Sequence, residues 1–287
     1  MDIHRLHSGD CVADIASKGA ELQALCLGGM ELLWSAGPLW PRHAPLLFPI
    51  VGALKGDALR HSGNTFLMPK HGFARDRNFT WVHRAETSCT LELREDAKTL
   101  LAYPFPFRLR VSFELERSEL RMEVTLQNPG PGPLPASFGL HPAFCWPLAG
   151  RPKAEHHLMF EVEEPGPLRR LDTQGLLAPE RHPTPIQGRE LALRGDLFAK
   201  DALIFLQPNS RSLFFEAGSG PSLRLSWAGF PHLGIWTKPD PGPSFLCVEP
   251  WEGYASPADW DGEIMEKPGG FLLAPGSTRH WSLTIGL

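Results

Sequence analysis

The sequence lacks the features that mark a membrane-spanning or nucleic-acid-binding protein. No segment approaches the roughly 18 consecutive apolar residues that a transmembrane helix requires. The formal net charge is −4, and no block of Lys and Arg occurs in the 287 residues. We therefore expect neither a nucleic acid nor a membrane as a partner. The first residues contain no apolar segment after a basic start, so no signal peptide is expected.

Paired cysteines are also missing. The chain has five cysteines, an odd number, and no CxxC motif, so neither a zinc knuckle nor a thioredoxin-type redox site is indicated. They are scattered at Cys11, Cys26, Cys89, Cys145 and Cys247. Isolated cysteines in apolar surroundings are usually small core residues. A reducing cytoplasm is the simplest location for such a chain.

Several catalytic signatures are absent as well. The sequence has no G-x-S-x-G elbow of a serine hydrolase and no GxxxxGK[ST] phosphate-binding loop. His156 and His157 are adjacent, and on a strand their side chains point to opposite faces, which makes a poor metal site. We expect no metal, no nucleotide and no other cofactor.

Long amphipathic helix patterns are missing, whereas turn residues are abundant. The chain has 28 glycines and 29 prolines, together well above the roughly 12 % that is usual. Many turns imply many short strands. Because no internal repeat or linker divides the chain, we predict one domain over residues 1–287. Its predicted fold is all-β and antiparallel, with two packed sheets and few short helices.

Strand signals dominate the chain. Residues 109–116 and 120–127 alternate apolar and polar side chains around the short loop 117–119, which predicts an antiparallel hairpin with one buried face. Similar patterns predict strands around residues 89–93, 213–216, 223–227 and 281–285. The best helix candidate is residues 256–260, with Ser256 as N-cap. The proline-rich segment 163–194 is expected to run over the surface.

Two distant stretches share an apolar strand, one ionisable residue, and then a proline beside an aromatic or small apolar residue. His141 precedes Pro142, so we expect it to end a strand and lead into a loop. Apolar flanks lower the pKa of such an imidazole from about 6.5 and suit it to proton exchange. Glu249 likewise follows an apolar run and precedes a proline, Pro250, within residues 245–251. The alternatives are a packed structural histidine and a loop-capping carboxylate.

Four stretches in order resemble the aldose 1-epimerase (galactose mutarotase) family, and within it the LacX-like branch. They are residues 47–52 (LFPIVG), 71–76 (HGFARD), 139–144 (GLHPAF) and 248–251 (VEPW). Taken singly, His71 could be a turn residue, and Arg75 with Asp76 a surface pair of little energetic value. The ordered set spans nearly the entire chain and is far more specific than any one motif.

The resemblance implies a β-supersandwich with a sugar-binding cleft across one sheet. In the family, a glutamate like Glu249 is the catalytic base and a histidine like His141 is the acid. A second histidine, matching His71, contacts the sugar and its ring oxygen. An aspartate that holds sugar hydroxyls corresponds best to Asp201, although the local motif is weak. Trp251 is expected to contact the sugar or to help form the apolar pocket.

The sequence also departs from the family pattern. Family members often carry an arginine directly after the Pro-Ile-Val-Gly run, but here Ala53 follows, with Lys55 two residues on. Arg42 and Arg75 are the candidates to reach the cleft instead. Phe144 and Trp146 are further candidates for the pocket wall, although either could belong to the core.

The predicted function is that of a cytoplasmic aldose 1-epimerase, a monomer or homodimer, acting on a hexose or similar aldose. A non-catalytic sugar-binding or sensor protein of the same fold remains an alternative. So does a hexose-6-phosphate mutarotase, which requires basic residues at the cleft rim. Candidates for that rim are Arg42, Lys55, Lys70 and Arg75.

Overall fold

The computed structural model describes residues 2–238 and 244–287, and these residues form mostly antiparallel strands. The strands are, in chain order, β1 (Ile3–Ser8), β2 (Cys11–Ala16), β3 (Glu21–Leu27), β4 (Met30–Glu31), β5 (Leu46–Leu47), β6 (Ala58–His61), β7 (Asn64–Leu67), β8 (Thr80–Arg84), β9 (Ser88–Arg94), β10 (Arg108–Glu116), β11 (Glu119–Gln127), β12 (Leu134–Ala136), β13 (Phe138–Leu140), β14 (Ala143–Cys145), β15 (His156–Phe160), β16 (Glu190–Ala192), β17 (Leu203–Leu206), β18 (Ser212–Ala217), β19 (Ser222–Ala228), β20 (His232–Trp236), β21 (Phe245–Glu252), β22 (Phe271–Leu273) and β23 (Thr278–Gly286).

Helices are few and short. The α-helix α1 spans Ala97–Leu100, and its N-terminus is capped by reciprocal hydrogen bonds between Asp96 and Thr99. The 3₁₀ helices are Lys55–Asp57, Ala74–Asp76, Leu148–Gly150, Lys153–Glu155, Gly195–Phe198 and Ile264–Glu266. Within the described ranges, no helix is long and apolar enough to cross a membrane.

The expected helix at residues 256–260 does not form. This segment makes a single turn, in which the Trp260 N–H donates to the Pro257 carbonyl at 3.0 Å. The hydroxyl of Ser256, the expected N-cap, is buried and has no hydrogen-bond partner among the residues described. The prediction was wrong because Pro257 and its neighbours pack as a loop, with the Ala258 N–H donating to the Leu177 carbonyl.

The predicted hairpin is confirmed within the largest sheet. This nine-stranded sheet has the order β16-β15-β18-β19-β23-β11-β10-β9-β8. In the β10–β11 hairpin Leu109 faces Leu126 and Phe113 faces Met122, and the apolar side chains lie on the buried face. The turn has two residues rather than three, because Glu119 already pairs with Glu116.

The second large sheet contains the strands that carry or precede the predicted catalytic residues, with Glu249 on β21 and His141 directly after β13. Its six strands comprise the path β17-β20-β21-β13-β5, and β14 pairs with β21 as well. Every residue of β21 is buried, so both faces of this strand are covered. Leu246 and Val248 join the main core, whereas Phe245, Cys247 and Trp251 pack in two smaller clusters on the opposite face.

The two large sheets pack face to face. Phe113 and Met122 of the nine-stranded sheet and Leu140 of the six-stranded sheet line one small internal cavity of about 20 Å³. The main core cluster takes in residues from Leu6 to Ile285. The prediction of an all-β antiparallel fold with two packed sheets and few short helices is therefore confirmed.

The segment 163–194 is only partly a surface excursion. Leu168, Leu176, Leu177 and Ile186 are buried, and Leu177 packs with Trp251 on the outer face of the six-stranded sheet. The expectation of a purely surface path was wrong for these residues, because their apolar side chains cover that face and remove it from water.

Gly72 fixes the loop that follows β7. It forms a parallel bridge with Phe48, whose carbonyl accepts hydrogen bonds from the N–H groups of Phe73 and Ala74. The φ of Gly72 is +70°, and a Cβ there would lie 2.2 Å from the Phe48 carbonyl oxygen. Only a residue without a side chain allows this close approach.

We expect Gly72→Ala to destabilise the fold far more than Gly63→Ala. Both glycines have positive φ, but a Cβ at Gly63 would meet open space. The free energy of unfolding of the Gly63→Ala control should therefore fall by only about 1–2 kcal/mol, which is the cost of a left-handed backbone for a residue with a side chain. The Gly72 variant adds a backbone clash worth roughly 1–3 kcal/mol more. Urea unfolding measures both, and equal losses would contradict the steric argument.

Candidate active site

An open cavity of about 260 Å³ lies on the outer face of the six-stranded sheet. It is lined by six of the seven residues singled out in the sequence, namely His71, Arg75, His141, Asp201, Glu249 and Trp251. Its polar and apolar walls suit a ligand with both hydroxyl groups and apolar faces. The cavity is therefore the candidate functional site.

Strand register brings His141 and Glu249 together. On one edge of β21, Gly139 pairs with Trp251 and Ala143 pairs with Cys247. His141 lies midway between the first members of these pairs and is therefore level with Glu249. As predicted, it follows directly after the end of β13. Its Nε2 lies 3.1 Å from Oε2 of Glu249, and both side chains are almost fully buried.

Burial shifts the pKa values of this pair in opposite directions. Desolvation, with smaller contributions from the nearby Arg75, Lys70 and Arg42, lowers the pKa of His141 to about 3. Desolvation raises the pKa of Glu249 well above its usual range, and Lys70 acts against this rise. These shifts favour the neutral imidazole and the protonated carboxyl group. Opposed shifts of this kind are typical of acid–base centres.

The ring of His71 is held in one tautomer. Its Nδ1 accepts a hydrogen bond from the Gly52 N–H at 3.1 Å, while its own backbone N–H donates to the Gly52 carbonyl. Burial lowers the pKa of His71 well below 6.5, and His141 and Lys70 add to this. The neutral ring therefore carries its proton on Nε2, as a hydrogen-bond donor. Its ring centroid lies 5.8 Å from that of His141.

Two tryptophans that the sequence interpretation missed form the wall around His141. Trp40 stacks on the imidazole at 5.0 Å between centroids, and Trp236 meets it edge-on at 5.9 Å. The proposed wall residues Phe144 and Trp146 instead belong to the main core. No local signal distinguishes Trp40 or Trp236 from a core tryptophan, because only the fold brings them to the imidazole.

A buried carboxylate, also missed in the sequence, holds the segment beneath His141. Oε1 of Glu21 accepts hydrogen bonds from the N–H groups of His43 and Ala44, at 2.9 and 3.1 Å. The next carbonyl, that of Pro45, accepts from the His141 N–H at 3.1 Å. Glu21 thus positions the backbone to which the imidazole is tied.

Three cations stand at one side of the cavity. Arg42 donates to Asp76 at 3.1 Å, and Arg75 donates through Nη2 to the Lys70 carbonyl at 2.6 Å. Burial, and then the neighbouring Arg42, lower the pKa of Arg75. The Nε of Arg75 is buried without a hydrogen-bond partner in the described ranges. Asp76 and Glu21 are the carboxyl groups that act on Arg75. The three cations of the cluster Arg42–Lys70–Arg75 outnumber these two groups, so the cluster presents excess positive charge.

Asp201 and Trp251 lie on the remaining walls. Asp201 is exposed at the cavity rim, and its turn is tied by Arg170, which donates to the Asp201 carbonyl at 2.6 Å. Trp251 is buried, and its side chain lies beside Glu249, whose pKa it acts to lower. Leu171, from segment 163–194, also lines the cavity.

Lys55, which was predicted to bind the substrate, does not line the cavity. Its Nζ donates to the Ala258 carbonyl at 3.2 Å. Ala53, at the place of the family's usual arginine, is buried, and its carbonyl accepts from the Ser256 N–H. The cluster Arg42–Lys70–Arg75 supplies the positive charge at this cavity instead.

Cys247 lies beside the acid–base pair. It is fully buried, and burial together with Glu249 raises the pKa of its thiol well above its usual range. One potential ligand atom each from His141, Cys247 and Glu249 all lie within 4.8 Å of one another. Among the residues that the structure describes, this is the group whose atoms could hold a metal ion.

Comparison with known proteins gives a consistent result. A profile of the family described as aldose 1-epimerase matches residues 2–271. Protein LacX (plasmid) of Lactococcus lactis subsp. lactis is 33% identical over 269 residues, 90% of this chain and 89% of that protein. The chromosomal LacX of the same organism is 34% identical over the same length.

Solved structures agree with the sequence matches. A galactose mutarotase-like protein from Lactobacillus casei has a TM-score of 0.91 and 27% identity, with 99% of each chain covered. A galactose mutarotase related enzyme from Lactobacillus acidophilus has a TM-score of 0.88, also at 27% identity, covering 99% of this chain and 97% of its own.

We expect the rings of His71 and His141 to stay neutral at about pH 5, where an unperturbed histidine is protonated. For His71 the proton should reside on Nε2. Nitrogen-15 NMR of the imidazoles measures both, with His71→Gln and His141→Gln variants to assign the signals. An imidazolium signal from either ring at that pH would contradict the expectation.

The same shifts predict how stability depends on pH. The unfolded chain takes up protons on both histidines as the pH falls below 6.5, whereas the folded chain does not until much lower pH. Glu249 contributes in the opposite direction above pH 4.5, because the folded chain holds its proton more tightly, but it is one group against two histidines. The free energy of unfolding should therefore fall as the pH decreases from 6.5.

Proposed function

The chain belongs to the aldose 1-epimerase family and is an isomerase, and from this we propose that it interconverts the α and β anomers of a hexose or similar aldose. Glu249 acts as the base and His141 as the acid. The observation that carries the proposal is the separation of 3.1 Å between His141 Nε2 and Glu249 Oε2 at the wall of a sugar-sized cavity.

The reaction opens and recloses the sugar ring. Glu249 removes the proton of the anomeric hydroxyl while His141 gives a proton to the ring oxygen, and the C1–O5 bond breaks. Rotation about C1–C2 then presents the other face of the aldehyde. The two groups exchange roles as the ring closes. General acid–base assistance contributes roughly 10²–10⁴-fold for each group.

The buried pair already contains the protons that this chemistry needs. The uncharged pair and the ion pair differ only in the place of one proton, which moves over a short distance. Lys70, which acts to lower the pKa of Glu249, favours its carboxylate form. Transfer of the proton from Glu249 to His141 leaves a buried imidazolium. A bound sugar that accepts a hydrogen bond from His141 stabilises this charge and so favours the transfer.

The remaining cavity residues bind and orient the sugar in this proposal. The Nε2–H of His71 donates to the sugar near its ring oxygen, which the Gly52–His71 contact supports. Asp201 and Arg75 hold hydroxyl groups, and the Trp251 ring packs against an apolar sugar face. Trp40 and Trp236 limit water access to His141. Lys55 has no direct role here.

The proposal also includes the cellular location, the domain organisation and the oligomeric state of the enzyme. We infer a cytoplasmic protein, since all five cysteines are free. We treat residues 1–287 as one domain because the main core cluster draws on residues from Leu6 to Ile285. A monomer or a homodimer is compatible with a cavity lined by residues of a single chain.

We expect Glu249→Gln to lower catalysed anomer exchange by at least about 10²-fold, because the amide cannot accept the anomeric proton. Glu252→Gln is the matched control, since Glu252 is a buried carboxylate on the same strand. It is hydrogen-bonded to Trp281 and paired with Arg279, away from the cavity. Polarimetry of fresh α-glucose and α-galactose measures the rate. Equal rates for wild type and Glu249→Gln would overturn the proposal.

Calorimetry beside polarimetry tests the non-catalytic alternative. A sugar-binding or sensor protein would bind sugars saturably without accelerating anomer exchange. If the wild type accelerates anomer exchange of α-glucose or α-galactose, non-catalytic sugar binding is excluded as its sole function.

A second candidate is mutarotation of a hexose 6-phosphate, and the cluster Arg42–Lys70–Arg75 is the observation that favours it. Burial, and then the neighbouring Arg42, destabilise the charge of Arg75 and lower its pKa. A phosphate group would pair with guanidinium and ammonium groups at once. A free hexose offers no compensating charge.

We expect Lys70→Gln to reduce any preference for a hexose 6-phosphate over the free hexose, by roughly tenfold for one lost ion pair. Lys55→Gln is the matched control, because Lys55 is the basic candidate that lies outside the cavity lining. The ratio of kcat/KM for the two substrates is the measurement. A ratio that favours the free sugar in the wild type rules out the phosphate candidate.

A further inference from the structure

Strand β21 brings a thiol to the acid–base pair. Cys247 and Glu249 are two residues apart, so their side chains project from the same face of the sheet. His141 lies level with Glu249 across the strand pair. The three ligand atoms lie within 4.8 Å of one another, and all three residues are buried.

Nδ1 of His141 has no hydrogen-bond partner in the described part of the chain, and His141 is more than nine-tenths buried. Oε2 of Glu249 also makes no hydrogen bond there, although His141 Nε2 lies 3.1 Å from it. Buried polar atoms are nearly always paired, so unpaired ones indicate a place that a ligand completes. A sugar would satisfy atoms that face the cavity, but a thiol is not needed for that task.

We propose that His141, Cys247 and Glu249 form a binding site for one divalent cation of the zinc class, which competes with the sugar. The metal is an inhibitor and not a cofactor of the reaction. Binding itself does not depend on the proposed function. Only its inhibitory consequence rests on the acid–base roles of His141 and Glu249.

The donor set selects the metal. One thiolate, one imidazole and one carboxylate are the ligands that Zn²⁺ accepts, and three protein ligands leave the fourth tetrahedral position to water. His141 and Glu249 line the cavity, so a water at that position would be supplied from the cavity. Magnesium and calcium prefer all-oxygen ligands and are excluded by the thiol. A tetrahedral site needs ligand atoms roughly 3.3–3.8 Å apart. Side-chain rotations that move the ligand atoms by about 1 Å would bring the three atoms to that separation.

The charge of the complex suits a cavity with excess positive charge. A free dication would be repelled by the cluster Arg42–Lys70–Arg75. Zn²⁺ bound to one thiolate and one carboxylate is neutral, so it adds no net charge. The protons of the thiol and of the carboxylic acid leave to solvent as the two metal bonds form.

Coordination stops the chemistry directly. The metal takes the lone pairs of His141 and Glu249 that the proposed reaction uses. It also occupies the end of the cavity where the anomeric centre would lie. Inhibition should therefore be competitive with the sugar and reversed by a chelator.

Titration of the intact protein with Co²⁺ tests the site by a readout that is independent of catalysis. The wild type should bind one equivalent, with the visible ligand-field bands of a four-coordinate site and a thiolate-to-cobalt charge-transfer band. One equivalent of Zn²⁺ should remove both. Cys247→Ser should lose the charge-transfer band and weaken Zn²⁺ binding at least about 10–100-fold.

Cys145→Ser is the matched control. Cys145 lies on the neighbouring strand β14 and contacts the Leu33 carbonyl, outside the ligand group. It should leave the band and the Zn²⁺ affinity unchanged. If Cys247→Ser does not fold, Glu249→Gln replaces it, because that variant weakens metal binding without removing a thiol.

The outcomes separate this inference from the proposed function. A wild type without the charge-transfer band, or a band that survives in Cys247→Ser, overturns the metal site whatever the catalytic result. Loss of the band in Cys145→Ser overturns it equally. A wild type that binds Co²⁺ as described but does not accelerate anomer exchange retains the metal site and rejects only the proposed function.

Discussion

The register of β21 against its neighbours is the constraint on which the cavity depends. Side chains alternate between the two faces of a strand, so Glu249 faces the cavity only while Val248 faces the main core. A slip of one residue would exchange the two. It would place a carboxylate in an apolar core and remove it from His141. The apolar packing of Leu246 and Val248 therefore enforces the position of the acid–base pair.

The same register leaves room for the floor of the cavity. Trp251 lies across the backbones of two neighbouring strands, where Gly139 and Gly234 have no side chains. A Cβ at these places would lie 2.6 and 2.4 Å from the indole ring. The flat arrangement buries a large aromatic surface, which stabilises the sheet. Trp251 also lines the cavity, so one side chain serves both the packing of the sheet and the cavity wall.

Sequence patterns predicted what is local and missed what is assembled from distant segments. Strands followed from alternation, and His141 and Glu249 from a strand that ends in a proline beside an ionisable residue. No local sequence pattern identifies Trp40 or Glu21, because each contacts the segment around His141 only after distant parts of the chain have folded together. Lys55 follows a cleft motif in sequence, but a 3₁₀ turn at Lys55–Asp57 directs its ammonium group to the Ala258 carbonyl.

The cluster Arg42–Lys70–Arg75 acts on the pair His141 and Glu249. Its charges lower the pKa of His141, and Lys70 lowers that of Glu249. Lys70 therefore favours the carboxylate of Glu249, and all three cations disfavour the imidazolium of His141. An anionic group bound among these cations would weaken both effects and raise both pKa values. The charge bound at this cluster and the proton affinity of the pair are thus coupled through one set of side chains.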